Sequence, residues 1–174
     1  MPKLLLFTLL LVAVPLVQAD SEAARRQAGH PATSAEVFAQ LAGHPDPAVR
    51  EVLARNRRVP PELLHRLATD PQPAVRIAVA TNLATREATF LLLARDAETS
   101  VRSVVARFEY VPVSALAVLA RDVSAQIRAE VAANLNSNAA ILQALSEDSY
   151  PTIAATAAQA LQRLQDEAAA PTQD

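Results

Sequence analysis

Four arginines, Arg50, Arg76, Arg102 and Arg128, recur every 26 residues, each directly after a Val or an Ile. Asp70, Asp96 and Asp122 recur at the same interval, each six residues before one of these arginines. A guanidinium and a carboxylate repeated in this way can either pair with each other as a structural ladder or present a charged row to a ligand. Positions six apart on one helix lie on different sides of it, so pairing has to cross a turn or bridge neighbouring repeats. Stacked helices sit about 8 to 10 Å apart, and partial burial of arginines at that spacing would demand carboxylate partners. The seven residues are therefore read as a ladder that satisfies helix ends and buried charge.

A second basic group behaves differently. The stretch from Arg50 to Arg66 holds five arginines and His65 against only Glu51 and Glu62, whereas Leu145 to Asp174 holds five acids and one arginine, Arg163. Arg55, Arg57 and Arg58 crowd one loop before Pro60, and the positions equivalent to Arg57 and Arg58 in later repeats are Leu83, Ala84, Glu109 and Tyr110. Recurrence suits scaffolding and variation suits recognition, so Arg55, Arg57, Arg58 and His65 form the candidate docking surface for an acidic partner, with a plain solvated rim as the competing reading.

Other chemistry has little to stand on. The chain has no cysteine, which removes disulfides, thiolate zinc sites and iron-sulfur ligands. Two glycines cannot build a phosphate-binding loop, and there is no Gly-x-Ser-x-Gly. His30, His44 and His65 lack the four-residue spacing of helical zinc ligands. His30 and His44 each lie in the phrase Ala-Gly-His-Pro, where a glycine and proline stop after a helix accounts for them. Asn56, Asn82 and Asn134 close the second helices, a role suited to a residue that tolerates the left-handed conformation and bonds free backbone groups. No catalytic residue, cofactor or metal is expected.

The elements that must position these side chains are helical. Ala, Leu and Val dominate and aromatics are scarce, which favours closely packed helices over a sheet. Repeats begin at Leu41, Leu67, Leu93, Leu119 and Leu145 without an insertion, preceded by a half unit from Ser34. Each carries two short apolar segments of helical period: Leu64, Leu67 and Ala68 in the first, Val75, Ala78 and Val79 in the second. Alanine fills one column of the second helix, Ala54, Ala80, Ala106, Ala132 and Ala158, where a small side chain allows close approach. The last unit, with Gln159, Gln162 and Arg163, reads as a C-terminal cap. The expected organisation is an address over residues 1–19, a lead-in over 20–33, the repeat array with its cap over 34–164 and a fraying tail over 165–174.

The pattern L-A-x-D-x-x-x-x-V-R-x-x-V-A-x-N, followed by a proline-started leucine segment, resembles the leucine-rich repeat variant family and, more loosely, HEAT repeats. The resemblance implies an all-α fold, a right-handed superhelical solenoid of two-helix repeats in which one helix of each pair is 3₁₀. Some relatives carry a cysteine cluster for an iron-sulfur centre ahead of the repeats, and a chain without cysteine cannot share that activity.

Export is read from the N-terminus. Lys3 supplies a positive start, Leu4 to Val17 is apolar but shorter than the roughly 20 residues that span a bilayer, and Val17-Gln18-Ala19 presents small residues at a cleavage spacing. Cleavage after Ala19 would release a monomeric periplasmic or secreted protein that is no longer membrane-bound. The formal net charge of −2 gives no global field for nucleic acid. The function expected is a non-enzymatic protein-binding scaffold, in a narrower form an inhibitor or immunity-type protein for an exported enzyme or toxin. A HEAT-like nucleic-acid-binding module using the arginine rows is the alternative, and an unrecognised enzyme or metal-binding protein the third.

Overall fold

A computed structural model of the chain describes residues 20–169. The signal peptide expected over residues 1–19 and the end of the expected tail, 170–174, lie outside the described residues. Among the described residues there are only helices and turns, in two compact units divided between Ala84 and Thr85.

The first unit comprises α1 (20–29), α2 (Ala35–Leu41), α3 (Pro47–Arg55), α4 (Pro61–Leu67) and α5 (Pro73–Ala80). The second comprises α6 (Glu87–Leu93), α7 (Thr99–Arg107), α8 (Val113–Leu119), α9 (Ala125–Ala133), α10 (Ala139–Leu145) and α11 (Pro151–Ala169). Helices of seven to nine residues are too short to persist alone. Proline at the first turn of α3, α4 and α5 presets the entry angle at no cost in hydrogen bonds. What stabilises each helix is its neighbours: second helices stack on second helices, α3 on α5 and α7 on α9 on α11, while α6 stacks on α8 in the other layer.

The columns read from sequence form this core. Val49, Val75, Val101, Ile127 and Ile153 are shielded from solvent, as are Phe38, Leu64, Phe90, Leu116 and Leu142 of the first helices. Ala54, Ala80, Ala106 and Ala132 are fully buried where successive second helices meet. Ala158, assigned to the same column, is exposed, and among the described residues no further helix stacks on that face of α11. The cap helix also continues through Ala169, so residues 165–169, expected to fray, are helical.

Both helices of every repeat are α-helices, so the 3₁₀ member implied by the resemblance is not a separate element among the described residues. Its tighter geometry survives in the turns, where Thr69 N–H donates to Arg66 O and Asp70 N–H to Leu67 O, three residues back. The same pair of bonds closes α6 through Arg95 and Asp96 and α8 through Arg121 and Asp122.

The array begins earlier than expected. Residues 20–29, read from sequence as a lead-in, form the second helix of a degenerate first repeat. Ala28 sits in the alanine column 26 residues before Ala54 and is fully buried. Its carbonyl accepts the Asn56 side-chain N–H at 2.8 Å, as Ala54 accepts that of Asn82 at 2.6 Å.

Candidate functional site

Arg50, Arg102 and Arg128 form rungs of a ladder, each paired with the aspartate of the following repeat. Arg50 donates from Nε to Asp70 Oδ2 at 2.6 Å and from Nη2 to Oδ1 at 3.0 Å. Arg102 grips Asp122 in the same bidentate way, and Arg128 grips Asp148. The third guanidinium nitrogen turns back: Nη1 of Arg50, Arg76, Arg102 and Arg128 donates to the backbone carbonyls of His44, Asp70, Asp96 and Asp122, each six residues earlier. One fork therefore closes the turn before its own helix and ties that helix to the next repeat. Asp148, 26 residues after Asp122, thus extends the aspartate column by one more rung.

These carboxylates are held ionised. Burial is the largest influence on Asp70 and Asp122 and opposes their charge, but the arginine bonds and the N–H groups of Gln72 and Ser124 outweigh it and keep both below the usual carboxylate range. For Asp148 the Arg128 bond dominates, with the same direction. The side chains of Arg50, Arg102 and Arg128 are mostly covered, Arg102 to 12% exposure, which leaves little of these three guanidinium groups open to a ligand.

The asparagine column does a parallel job at the opposite end of each second helix. Asn56, Asn82 and Asn134 accept from the N–H two residues on, at Arg58, Ala84 and Asn136. Their amide nitrogens donate to the previous repeat, Asn134 to Ala106 O at 2.7 Å and Phe108 O at 3.3 Å. The left-handed conformation expected of them is not adopted: Asn56 (φ −74°, ψ 121°) and Asn134 (φ −75°, ψ 128°) are extended.

Two histidines turn out to be members of these columns. His30 occupies the asparagine column and accepts Ala32 N–H on Nδ1 at 3.1 Å. His44 occupies the aspartate column and accepts Asp46 N–H on Nδ1 at 3.1 Å, as Asp70 accepts Gln72 N–H at 2.9 Å. Neither adjacent glycine has a positive φ, so the helix stop comes from the imidazole acceptor and not from glycine. Among the described residues no three His, Asp or Glu side chains are placed to share a metal ion.

What remains unexplained by stacking lies in the turn after each second helix. Arg57 and Arg58 are exposed there, and Arg58 lines a cleft of about 470 Å³ against Pro31, Thr33 and Phe38. Arg55 is engaged by Glu51 at 2.7 Å on its own helix, and His65 lies exposed on α4. Composition hid the apolar members of the same turns: Leu83 is 51%, Tyr110 62% and Leu135 76% exposed. Aligning the turns in register, Arg57 with Leu83 and Leu135 and Arg58 with Tyr110, was the signal available for them.

A second cleft of about 620 Å³ lies in the second unit between the turns after α7 and α9, lined by Arg107, Glu109, Tyr110, Glu130, Leu135 and Asn136. No described helix is long and apolar enough to cross a membrane.

Short α-helices stacked repeat on repeat, with Arg–Asp and Asn contacts recurring at the repeat period, define an all-α repeat solenoid. Residues 22–83 match the leucine-rich repeat variant domain. The match begins inside α1, in agreement with the degenerate first repeat. No curated protein and no solved structure matches the chain.

Proposed function

We propose that this repeat domain is an exported, non-enzymatic scaffold that binds another protein, in its narrower form an inhibitor or immunity-type protein acting on an exported enzyme or toxin. The observation that carries the reading is a division of labour along the repeat. Positions that hold the stack, the Val, Ala, Asn, Arg and Asp columns, are repeated and covered, whereas the turns that follow the second helices carry different, exposed side chains: Arg57 and Arg58, Leu83, Tyr110, Leu135. Varied side chains on a rigid repeated frame are how solenoids present a specific surface. Exposed aromatic and arginine side chains are also those that most often anchor protein interfaces.

Export is carried by the charged start, the short apolar run and the small residues ending at Ala19. Affinity capture from a periplasmic extract, read by mass spectrometry, tests the reading, with the intact mass of the exported chain measured on the same material. A partner captured by the wild type and lost on reversal of Arg57 and Arg58 supports it. Capture confined to nucleic acid, or a chain that retains Met1 to Ala19 in the membrane fraction, overturns it.

A further inference from the structure

The repeat whose second helix is α7, and the helix α9 that packs on it, depart from the pattern together. Position 130 holds Val52, Ala78 and Val104 in the equivalent places, yet here it is Glu130. Position 108 is Phe in an asparagine column. A carboxylate in an apolar column of a stack weakens packing and must be satisfied locally, so such a departure marks a site where something other than folding is served.

Glu130 is only half satisfied. Its Oε1 accepts from Ser103 Oγ at 2.8 Å and Gln126 Nε2 at 3.1 Å. Arg107 Nε stands 3.7 Å from the same oxygen, too far for a hydrogen bond, and donates instead to Ser103 O at 3.4 Å. The second oxygen, Oε2, is shielded from solvent and has no hydrogen-bond partner. A covered carboxylate oxygen without a donor costs free energy that a ligand donor would recover. The terminal torsion of a glutamate is broad, so the carboxyl can rotate to offer either oxygen to the cleft.

The cleft beside it is built rather than incidental. Tyr110 packs edge-on against Phe108, whose ring stacks on Phe90, both at 5.8 Å between centroids. The Asn136 amide donates to Glu109 O, and to Val111 O at 3.4 Å, which pins the turn that carries the tyrosine. The cleft is thus lined by an oriented aromatic ring, by the exposed Leu135, and by two acidic side chains, Glu109 and Glu130, against one basic one, Arg107.

We infer that this cleft receives an arginine side chain of a protein partner, its guanidinium bonded to the Glu130 carboxylate and stacked on the Tyr110 ring, with its methylenes against Leu135. A planar cation with a fork of donors and an apolar stem matches all three walls, whereas a compact ammonium forfeits the stacking. The inference rests on the protein-binding reading and adds the chemistry of one contact to it.

The probe is the peptide acetyl-Ala-Leu-Arg-Leu-Ala-amide, titrated into the ¹⁵N-labelled chain and followed by NMR against its citrulline counterpart, which has the same shape without the charge. The arginine peptide is expected to shift the amides around Tyr110, Glu130 and Leu135 and to bind at least about tenfold more tightly than the citrulline peptide. Glu130→Gln and Tyr110→Ala, each with a wild-type circular dichroism spectrum, are expected to weaken it by a similar factor, and Asp166→Asn on α11 to leave it unchanged. Equal binding of the two peptides, undiminished binding to Glu130→Gln, or shifts confined to other surfaces overturns the assignment. If the arginine peptide fails while periplasmic capture still returns a partner that depends on Arg57 and Arg58, the cleft assignment falls and the scaffold reading stands.

Discussion

Arg102 and Asp122 stand twenty residues apart and meet through two hydrogen bonds, at 2.7 and 3.2 Å, with 12% and 7% of their side chains exposed. The aspartate six residues before the arginine, Asp96, contributes its backbone carbonyl to that arginine. In the Arg50, Arg102 and Arg128 rungs charge pairing therefore runs forward to the next repeat, while the turn behind is closed through main-chain oxygens.

Removing one member strands the other. Arg102→Ala leaves a covered carboxylate without its counter-ion and opens the carbonyls of Asp96 and Ala97, so it is expected to destabilise the fold by about 3 to 5 kcal/mol. Arg57→Ala, at an exposed turn, is expected to stay within about 0.5 kcal/mol. Urea unfolding of the two variants beside the wild type measures the contrast, and similar midpoints for both would remove the ladder from the account of stability.

The same rungs give the molecule an acid limb. Asp70, Asp122 and Asp148 have folded-state affinities for protons below those of the unfolded chain. Their stabilisation is therefore complete above the unfolded value of about 3.9 and drains away as pH falls through it towards the lower folded values. Urea midpoints are expected to hold between pH 7 and about 5 and then to drop steeply. Asp148→Asn should begin lower at pH 7 and lose less on acidification. A parallel decline in variant and wild type would show that this rung does not contribute to the limb.

Much of this architecture was legible in the sequence because a stack needs the same side chain at the same place in every repeat. The Leu, Val and Ala columns, the Arg and Asp columns and the helix boundaries at proline all follow from one period. Legibility failed where identity changed but geometry did not. His30 and His44 present an acceptor at the place where Asn and Asp do, and a search by residue type sees only two stray imidazoles. α1 escaped for the same reason, since its alanine and histidine match the columns while Ala24 stands where the first rung arginine would be. The cleft beside Glu130 was invisible from sequence, because it depends on which oxygen the neighbours leave unbonded.

The histidine assignment is itself testable. His30→Asn should be tolerated within a few tenths of a kcal/mol, because asparagine offers the same acceptor to Ala32 N–H, whereas His30→Leu should cost about 0.5 to 2 kcal/mol. Thermal melts with and without zinc measure both. A zinc-dependent rise in the wild type that His30→Leu abolishes would return the histidine to the list of ligands.

Close packing of the alanine column predicts a position-dependent response to one added side chain. Ala80 is fully buried, and Ala80→Leu should cost about 1 to 3 kcal/mol by overpacking. Ala158, in the same sequence column, is exposed on the cap, and Ala158→Leu should be nearly silent. Chemical denaturation of the two variants decides whether the column or its burial sets the cost, and equal losses would contradict the end of the stack at α11.

The proposed recognition surface makes the opposite prediction from the ladder. Arg57 and Arg58 lie in an exposed turn, their equivalents differ from repeat to repeat, and Arg58 borders a cleft. Reversing both to glutamate should leave the urea midpoint within about 0.5 kcal/mol of wild type, since no covered partner is stranded. Against the partner returned by periplasmic capture, the double variant should associate more slowly with little change in dissociation rate. The difference should shrink as salt rises, because rim charges steer encounter over a Debye length of about 8 Å at physiological ionic strength. Stopped-flow or surface-based kinetics at two salt concentrations separate the rates. A double variant that unfolds, or one that binds with wild-type association at low salt, would move recognition away from this turn, whereas loss of binding on Arg102→Ala with stability untouched would exchange the roles of ladder and rim.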